Sequence, residues 1–276
     1  MDDGESEKAR VVGIFDRASA TYDQVGIEFF GTVAAELVRR TGPRAGESVL
    51  EIGSGRGASA LPTARAVGPT GRVVATDLAP GMVAALREMS ADMPWMEVRV
   101  ADAERPPTGP WDVVHAGLVL FFLPDLHGTL DRIHEVLAPA GRFGFTWFGD
   151  SDDSWASLTQ RMQAMVPAPP GAAPGVEDSE EDEGPFSSVD AMDAVLADHG
   201  FHDPTTTTLR VRVDFADVDQ WWAWIWSAGL RGLLERLDAH GVLEQARAEV
   251  DPELGRRAAN GTLSWWTDVR CTVATR

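Results

Sequence analysis

The sequence is poor in three reactive residue types: its 276 residues include one cysteine, one tyrosine and one lysine. The single cysteine, Cys271, excludes an internal disulfide and a cysteine-based metal cluster, so we expect no metal site and a reducing compartment. No apolar run reaches the length of a membrane span. Three of the first five residues are acidic, unlike the start of a signal peptide. These absences predict a cytoplasmic protein without a membrane anchor.

Positive charge is also scarce. The chain has 24 lysines and arginines against 43 aspartates and glutamates, which gives a formal net charge of −19. Such a surface repels phosphate backbones, so the composition argues against a nucleic-acid partner. We expect a small-molecule partner instead.

Apolar residues make up 44% of the chain, which suits one sizeable domain, alone or with a lid or cap. Residues 5–22 and 27–41 are predicted to be helical. Strand and helix patterns then alternate, which predicts a parallel sheet with helices on both faces. The predicted strands are 47–52, 71–76, 95–100, 111–116 and 141–147, and the predicted helices between them are 57–66, 79–91 and 127–137.

The alternation ends after Trp147. Residues 166–186 are rich in proline and then in acid, and we interpret them as a mobile loop with its acidic run at 176–184. A tryptophan-rich helical insertion separates two late strands, which suit an antiparallel edge. These later elements are helices at 150–165 and 188–199, and strands at 205–214 and 263–275. The expected domains are a helical lid at 1–42, a core of 43–149, 187–216 and 259–276, a helix with an acidic loop at 150–186, and a helical cap at 217–258.

The most informative stretch runs from Val49 to Ala58. A short apolar run ends in Glu51, and glycines follow at positions 53, 55 and 57. This pattern predicts a buried strand that turns sharply into a helix, where the backbone approaches a ligand closely and the helix start offers free N–H groups. The spacing also satisfies the dinucleotide-binding fingerprint, so an NAD(P)-dependent oxidoreductase is one alternative.

Three acids follow three successive predicted strands: Glu51, Asp77 and Asp102. In an open parallel sheet, the carboxyl ends of the strands form the ligand crevice. A carboxylate after the second strand can accept two hydrogen bonds from ribose hydroxyls, and one after the third can accept from an adenine amino group. The alternative is that each acid caps the next helix.

Five short motifs occur in order along the chain. They are Glu51–Gly57, Thr76–Met82, Ala101–Glu104, Trp111–Gly117 and Leu137–Arg142. In this order they resemble the class I S-adenosylmethionine-dependent methyltransferases, in the small-molecule branch of ubiquinone and menaquinone biosynthesis. The resemblance is strong over about residues 11–147. In the last motif, Ala140 stands where the family has glycine.

The resemblance implies a Rossmann-like α/β fold: a seven-stranded, mostly parallel sheet with helices on both faces, an N-terminal helical lid, and a helical cap between the last two strands. It also implies S-adenosylmethionine as methyl donor and S-adenosylhomocysteine as product. The implied cofactor-binding residues are Gly53, Ser54, Gly55 and Gly57 at the methionine moiety, Asp77 at the ribose, Leu78 and Met82 beside the adenosine, Asp102 and Ala103 at the adenine, and Gly117 beside the sulfonium.

Tyr22 lies in a segment, 15–23, that resembles the N-terminal lid of this family. Its phenol can hydrogen-bond the cofactor carboxylate, and its ring can contact the sulfonium cation. The resemblance therefore implies that Tyr22 binds and positions the cofactor. The competing interpretation is an amphipathic ring that docks a helix end.

Aromatic residues cluster where the acceptor is expected. A pocket walled by rings suits an apolar or aromatic acceptor, although tryptophans at helical spacing are also typical of a core. Natural-product metabolism is the expected context, with O-, N- or C-methylation left open. The predicted acceptor-binding residues are Phe121, Phe122, Trp147, Trp222 and Trp226.

The expected reaction is in-line attack of an acceptor atom on the sulfonium methyl, driven by proximity and by exclusion of water. His127, at the start of a predicted helix near the rim, is the candidate general base. His115, inside a strand, is interpreted as buried structure. A non-catalytic adenosylmethionine-binding protein is the second alternative, and exchange of the N-terminal helices between subunits would give a homo-oligomer.

Overall fold

A computed structural model describes residues 3–167 and 184–276, and it centres on one sheet. Its seven strands are β1 (Ser48–Ile52), β2 (Arg72–Asp77), β3 (Met96–Val100), β4 (Trp111–Gly117), β5 (Leu137–Ser151), β6 (His202–Asp214) and β7 (Ser264–Thr275). They lie in the order β3-β2-β1-β4-β5-β7-β6. The first five pair in parallel, and β7 runs antiparallel to both β5 and β6. The predicted parallel sheet with an antiparallel edge is confirmed.

Helices account for most of the remaining described residues. They are α1 (Asp3–Ala18), α2 (Phe30–Thr41), α3 (Ala60–Val67), α4 (Pro80–Met89), α5 (Leu126–Val136), α6 (Asp153–Gln163), α7 (Val189–Asp198), α8 (Val218–Ser227), α9 (Arg231–Ala239) and α10 (Leu243–Ala259), with a 3₁₀ turn at Leu120–Phe122. In these described ranges, no helix combines the length and the apolar character that crossing a membrane requires.

The central strands β1, β2 and β4 bury both of their faces. In β4, Val113 packs in one apolar cluster with residues of α3 and α4, whereas its neighbour Val114 packs in another with residues of α5 and α7. Successive strand residues point to opposite faces, so helices on both sides of the sheet require apolar residues at successive positions. This explains why the central strands read as continuous apolar runs.

A third apolar cluster holds the cap. Helices α8, α9 and α10 lie between β6 and β7 in sequence, as predicted, and pack with α6 around Trp221 and Trp222. Asp214 at the end of β6 pairs with Ser264 at the start of β7. The insertion therefore leaves and re-enters the sheet at one place.

Several predicted boundaries differ from the structure by a few residues: the predicted helices 5–22, 27–41 and 150–165 are observed as α1, α2 and α6, and β6 begins at His202 instead of residue 205. Two further differences have a clear local cause. Helix α3 begins at Ala60 instead of residue 57, because Gly57 has φ +87°, which is incompatible with a helical turn. Strand β5 spans Leu137–Ser151 instead of 141–147, because its outer part continues to pair with β7. Nearly all of the predicted acidic run, residues 176–183, lies outside the described residues.

The Ala140 turn gives a test of backbone strain. Ala140 has φ +62°, a region that costs an L-residue about 1–2 kcal/mol. Glycine avoids this cost but loses more chain entropy on folding, so we expect Ala140→Gly to raise the free energy of unfolding by about 0.5–1 kcal/mol in urea denaturation. Ala138→Gly, in the same strand but without a positive φ, is the control and should not stabilise. Equal effects of the two substitutions would contradict this account.

Candidate functional site

The turn after β1 depends on glycine for two reasons. Gly53, Gly55 and Gly57 have φ values of +63°, +51° and +87°. A Cβ on Gly53 would lie 2.5 Å from a methyl of Val119, and one on Gly57 would lie 2.3 Å from a methyl of Leu86. Both the left-handed backbone and the close approach therefore exclude larger residues.

Asp77, at the end of β2, ties this turn to the next strand. Its Oδ2 accepts a hydrogen bond from the Gly55 amide at 2.8 Å, and its Oδ1 accepts one from the Ala79 amide at 2.9 Å. Burial raises the pKa of Asp77, backbone hydrogen bonds from Ala79 and Gly55 lower it, and the nearby Glu51 raises it, with a net upward shift. The carboxylate faces a cavity, where it can accept further hydrogen bonds.

We call this space, with about 790 Å³ of empty volume, the Asp77 cavity. Nine of the residues predicted to bind the cofactor line this cavity, although they come from separate elements of the sequence. They are Tyr22, Gly53, Gly55, Asp77, Leu78, Met82, Asp102, Ala103 and Gly117.

The other two predicted cofactor residues, Ser54 and Gly57, line an adjoining space of about 860 Å³, the Glu51 cavity. Glu51 is nearly fully buried there, at 2% exposure. Its Oε1 accepts a hydrogen bond from the Ser59 hydroxyl at 2.6 Å, while its Oε2 has no hydrogen-bond partner within the described part of the chain. The Glu51 carboxylate is thus a buried acidic group in the wall of this cavity, suited to a ligand that donates a hydrogen bond.

His115 is fully buried beside this carboxylate, as its interpretation as buried structure predicts. Its Nε2 lies 2.7 Å from the Thr41 hydroxyl, and its Nδ1 lies 3.7 Å from the free Oε2 of Glu51. The histidine thus backs the Glu51 cavity and does not line it.

Lys8 was missed by sequence reasoning. It reaches from α1 to the loop after β3, where its Nζ donates to Asp102 Oδ2 at 2.9 Å and also contacts the Glu104 carboxylate. Lys8 lines the Asp77 cavity. Its partners are remote in sequence, and the only available signal was that the chain has no other lysine.

Tyr22 follows α1 and lies where the cavities meet. Its ring stacks on Phe30 at 4.5 Å and meets the edge of Phe15 at 6.0 Å. Desolvation and the nearby Asp77 raise the pKa of the phenol far above its ordinary value, so Tyr22 remains a neutral donor at physiological pH.

Leu118 is a second residue that sequence reasoning missed. It follows β4 with φ +52°, a strained conformation for a non-glycine residue, and its amide donates to the Thr146 hydroxyl at 3.0 Å. Leu118 and Tyr22 line both cavities already described and also a third one. Strain of this kind is common at functional sites.

The third space, the aromatic cavity, has about 1150 Å³ of empty volume and lies against the cap. Phe121 and Phe122, which were predicted to bind the acceptor, both line it. The other aromatic lining residues are Phe15, Tyr22, Phe29, Phe30, Phe148, Trp224 and Trp265.

Three predicted acceptor residues lie elsewhere, which corrects the sequence-based expectation. Trp147 is fully buried, because alternation along β5 turns it away from the cavity face that Phe148 occupies. Trp222 is buried in the cap, where its indole donates to Asp251 at 2.8 Å. Trp226 packs beside Arg231 instead. The rotation of α8 brings Trp224 to the cavity, and not Trp222 or Trp226.

His127, the candidate general base, also lies elsewhere. It is exposed at the start of α5 and lines neither the Asp77 cavity nor the aromatic cavity. Its Nδ1 lies 2.8 Å from Nε2 of His199, whose Nδ1 lies 2.6 Å from Asp131. The structure therefore gives His127 no contact with the place where an acceptor would react.

Comparisons with known proteins agree with this geometry. Residues 49–141 match a family model described as a methyltransferase domain. Nocamycin O-methyltransferase from Saccharothrix syringae is 32% identical over 264 residues, 91% of this chain and 93% of that protein. Aklanonic acid methyltransferase DauC from Streptomyces sp. (strain C5) is 40% identical over 145 residues, 51% of this chain and 66% of that protein. The crystal structure of YcgJ from Bacillus subtilis shares the fold, with a TM-score of 0.57 at 14% identity and coverage of 89% of this chain and 98% of that one.

The raised pKa of Asp77 predicts how ligand affinity depends on pH. An ionised carboxylate at this position would accept hydrogen bonds from two ligand hydroxyls, and the upward shift of its pKa means that Asp77 becomes protonated at a higher pH than an ordinary aspartate does. Affinity for S-adenosylhomocysteine, measured by calorimetry from about pH 8 down to about pH 5, should therefore fall as the pH drops through this raised value. Asp77→Asn should bind roughly 10–100-fold more weakly and lose this pH dependence. If the affinity of the wild-type protein did not depend on pH, the proposed contact between Asp77 and the ligand hydroxyls would be ruled out.

The Lys8 contacts predict that the ion pairs to Asp102 and Glu104 stabilise α1 against local opening. Lys8→Met should speed hydrogen exchange of the α1 amides, because it removes the ion pairs to Asp102 and Glu104. Lys8→Arg should retain most of the protection. Arg10→Met is the matched control, since Arg10 pairs with Glu7 on the same helix. If Lys8→Met and Arg10→Met have the same effect, Lys8 has no special role.

Proposed function

This chain belongs to the class I S-adenosylmethionine-dependent methyltransferases, and from that premise we propose that it methylates a small, largely apolar or aromatic acceptor in natural-product biosynthesis. The observation that carries the proposal is the meeting of three cavities at Tyr22 and Leu118. One cavity suits an adenosyl group, one an amino acid and one an apolar ring system.

The residues present fit S-adenosylmethionine. The backbone of Gly53 and Gly55 lines the Asp77 cavity, and the Glu51 carboxylate lines the adjoining cavity with the chemistry an ammonium group needs. Asp77, Asp102 and Ala103 line one cavity, where Asp77 would accept from the ribose hydroxyls and Asp102 and Ala103 would contact the adenine. S-adenosylmethionine supplies a methyl group on a cationic sulfur and is consumed in each turnover.

The chain contributes to the reaction by positioning donor and acceptor and by keeping water away from them. Tyr22 and Leu118 hold the point where donor and acceptor meet, and the rings of Phe15 and Phe122 form a shared wall between the Asp77 cavity and the aromatic cavity. Proximity and orientation are worth roughly 7–11 kcal/mol in favourable cases. The aromatic cavity excludes water from the acceptor side.

The relatives support the natural-product context. The two curated relatives are named for nocamycin and for aklanonic acid, and the first aligns over nearly its whole length. The alignment with the second covers 66% of that protein. From these relatives we carry over only the acceptor class, a small secondary metabolite.

The two alternatives receive less support. An NAD(P)-dependent oxidoreductase accounts for the glycine turn and Asp77, but not for the aromatic cavity beside them. Lys8 is engaged with Asp102 and Glu104, so it offers no partner for a tyrosine in hydride chemistry. Only a measurement of turnover distinguishes an enzyme from a non-catalytic binding protein. A cytoplasmic location and a homo-oligomer formed through the N-terminal helices remain predictions.

Titration calorimetry with S-adenosylhomocysteine and with NAD tests the proposal. We expect the first to bind and the second not to. Tyr22→Phe should weaken cofactor binding or slow methyl transfer, because it removes the only phenol at the junction of the cavities. Transfer is measured as S-adenosylhomocysteine formed with a panel of phenols, amines, acids and isoprenoids. Binding of NAD alone would overturn the proposal, and tight cofactor binding without any turnover would favour the non-catalytic alternative.

A further inference from the structure

Lys8 belongs to a cluster of three charged side chains between α1 and the loop after β3. Its Nζ donates to Asp102 Oδ2 at 2.9 Å and also contacts the Glu104 carboxylate. The side chains of Lys8, Asp102 and Glu104 are only 13%, 24% and 14% exposed. Charges that are shielded from water in this way interact more strongly than charges on an open surface. The cluster is therefore sensitive to the loss of any one member.

Lys8 is the cation that balances the two carboxylates. Because both contact the same nitrogen, Asp102 and Glu104 are close neighbours of like charge. Among the described residues, no other cation pairs with either side chain: Arg132 donates to the Glu104 backbone carbonyl at 3.0 Å and pairs with Asp125. Burial lowers the pKa of Lys8, but the hydrogen bonds and charges of the two carboxylates outweigh burial and raise it overall, so Lys8 keeps its charge.

Asp102 is held by hydrogen bonds at both of its oxygens. Its Oδ1 accepts from the Glu104 amide at 3.0 Å, and its Oδ2 accepts from Lys8. An ionised carboxylate offers about four acceptor sites, so Asp102 can accept a further bond from a ligand. Asp102 lines the Asp77 cavity together with Ala103, as Lys8 itself does. The ion pair thus fixes a carboxylate in the wall of this cavity and leaves part of its acceptor capacity for a ligand.

Removal of the ammonium would leave two like charges side by side. Two neighbouring carboxylates that are partly buried disfavour each other's ionised form, so one of them takes up a proton or moves away. Glu104 is held in place because its Oε1 accepts from the Asp125 amide at 2.8 Å. Without Lys8, Asp102 would therefore be displaced or partly protonated.

The state of Asp102 affects which purine the cavity accepts. An ionised carboxylate is only an acceptor, so it pairs with a 6-amino group and repels a 6-oxo group. A displaced or protonated carboxyl group discriminates less between the two. A hydrogen bond to a charged group is worth about 10–100-fold in affinity. The preference for an amino purine is therefore a measure of whether Asp102 is ionised and in place.

We infer, resting on the proposed methyltransferase function, that Lys8 is a positioning residue for the nucleobase of the methyl donor. Its ammonium offsets the charge of Glu104 and keeps Asp102 ionised and fixed, so the site for a 6-amino purine is complete only when α1 is docked. Since coupling between two binding events is reciprocal, a bound nucleobase stabilises α1 in return. Docking of the lid helix and selection of the nucleobase are thus thermodynamically coupled.

A matched pair of ligands tests this inference. S-adenosylhomocysteine and S-inosylhomocysteine differ in the purine, which carries a 6-amino group in the first and a 6-oxo group in the second. Calorimetry should show that the unaltered protein binds the first about 10–100-fold more tightly. Lys8→Met should reduce this preference at least about fivefold, because only the amino compound loses a charged acceptor. Arg10→Met, which removes an ion pair within α1, is the matched control and should keep the full preference.

A double variant separates this role from simple packing of α1. In Lys8→Met/Glu104→Gln, the neutral amide removes the like charge beside Asp102 although the ammonium is still missing. The preference for S-adenosylhomocysteine should therefore recover to within about threefold of that of the unaltered protein. If Lys8 only anchored α1, a change in its second partner would not restore the preference.

Hydrogen exchange measures the reciprocal effect. S-adenosylhomocysteine should slow exchange of the α1 amides in the unaltered protein, and this slowing should be at least about threefold smaller in Lys8→Met. The amides of β1 and β4, in the middle of the sheet, show whether the variant remains folded and should be equally protected in both proteins.

The outcomes separate the inference from the proposed function. If neither purine compound binds the unaltered protein, the methyltransferase proposal fails and the inference falls with it. If S-adenosylhomocysteine binds but Lys8→Met weakens both compounds equally, Lys8 has no part in selecting the nucleobase. A double variant that does not recover the preference, or equal slowing of α1 exchange in both proteins, would also overturn the inference while the methyltransferase function stands.

Discussion

The site depends on one constraint, the pair of hydrogen bonds that the Asp77 carboxylate accepts from the Gly55 and Ala79 amides. It fixes the turn after β1 and the start of α4 to one carboxylate. The positive φ values and close contacts of Gly53 and Gly57 then place backbone, not side chain, along the floor of two cavities. Strand ends, glycine turn and helix starts act together because all parallel strands end at the same edge of the sheet.

The N-terminal segment, which consists of α1 and the turn after it, contributes the remaining wall of the site. Lys8 contacts Asp102 in the Asp77 cavity, Phe15 forms a wall shared by two cavities, and Tyr22 lies where all three cavities meet. A single helix with its following turn therefore contacts every part of the site. Arg17 links the same helix to the cap through Glu235, so lid and cap are joined by a charge-assisted contact.

The sequence predicted the sheet well, because strand patterns are local, and most residues predicted for the cofactor follow strands that end at one edge of the sheet. The glycine turn and Asp77 follow strands with continuous apolar runs, whereas Asp102 follows β3, in which buried and exposed residues alternate. The acceptor side was predicted less well. Whether Trp147 or Phe148, and Trp222 or Trp224, faces a cavity depends on the phase of a strand and the rotation of a helix, which tertiary packing sets. Lys8 and Leu118 were missed for a related reason, since a distant ion pair and a strained backbone angle leave no local pattern.

The pairing of Asp214 with Ser264 has a consequence for the history of the fold. In the sheet alone, β6 and β7 form a simple hairpin, and the cap occupies the place of its loop. Closing a longer loop costs little extra free energy, so this position tolerates growth, shrinkage and replacement of the inserted helices without disturbing strand pairing. Substitutions in the inserted helices can thus change the wall that contacts the acceptor without changing the residues around the methyl donor. Acceptor preference can therefore diverge while the binding of the methyl donor is kept.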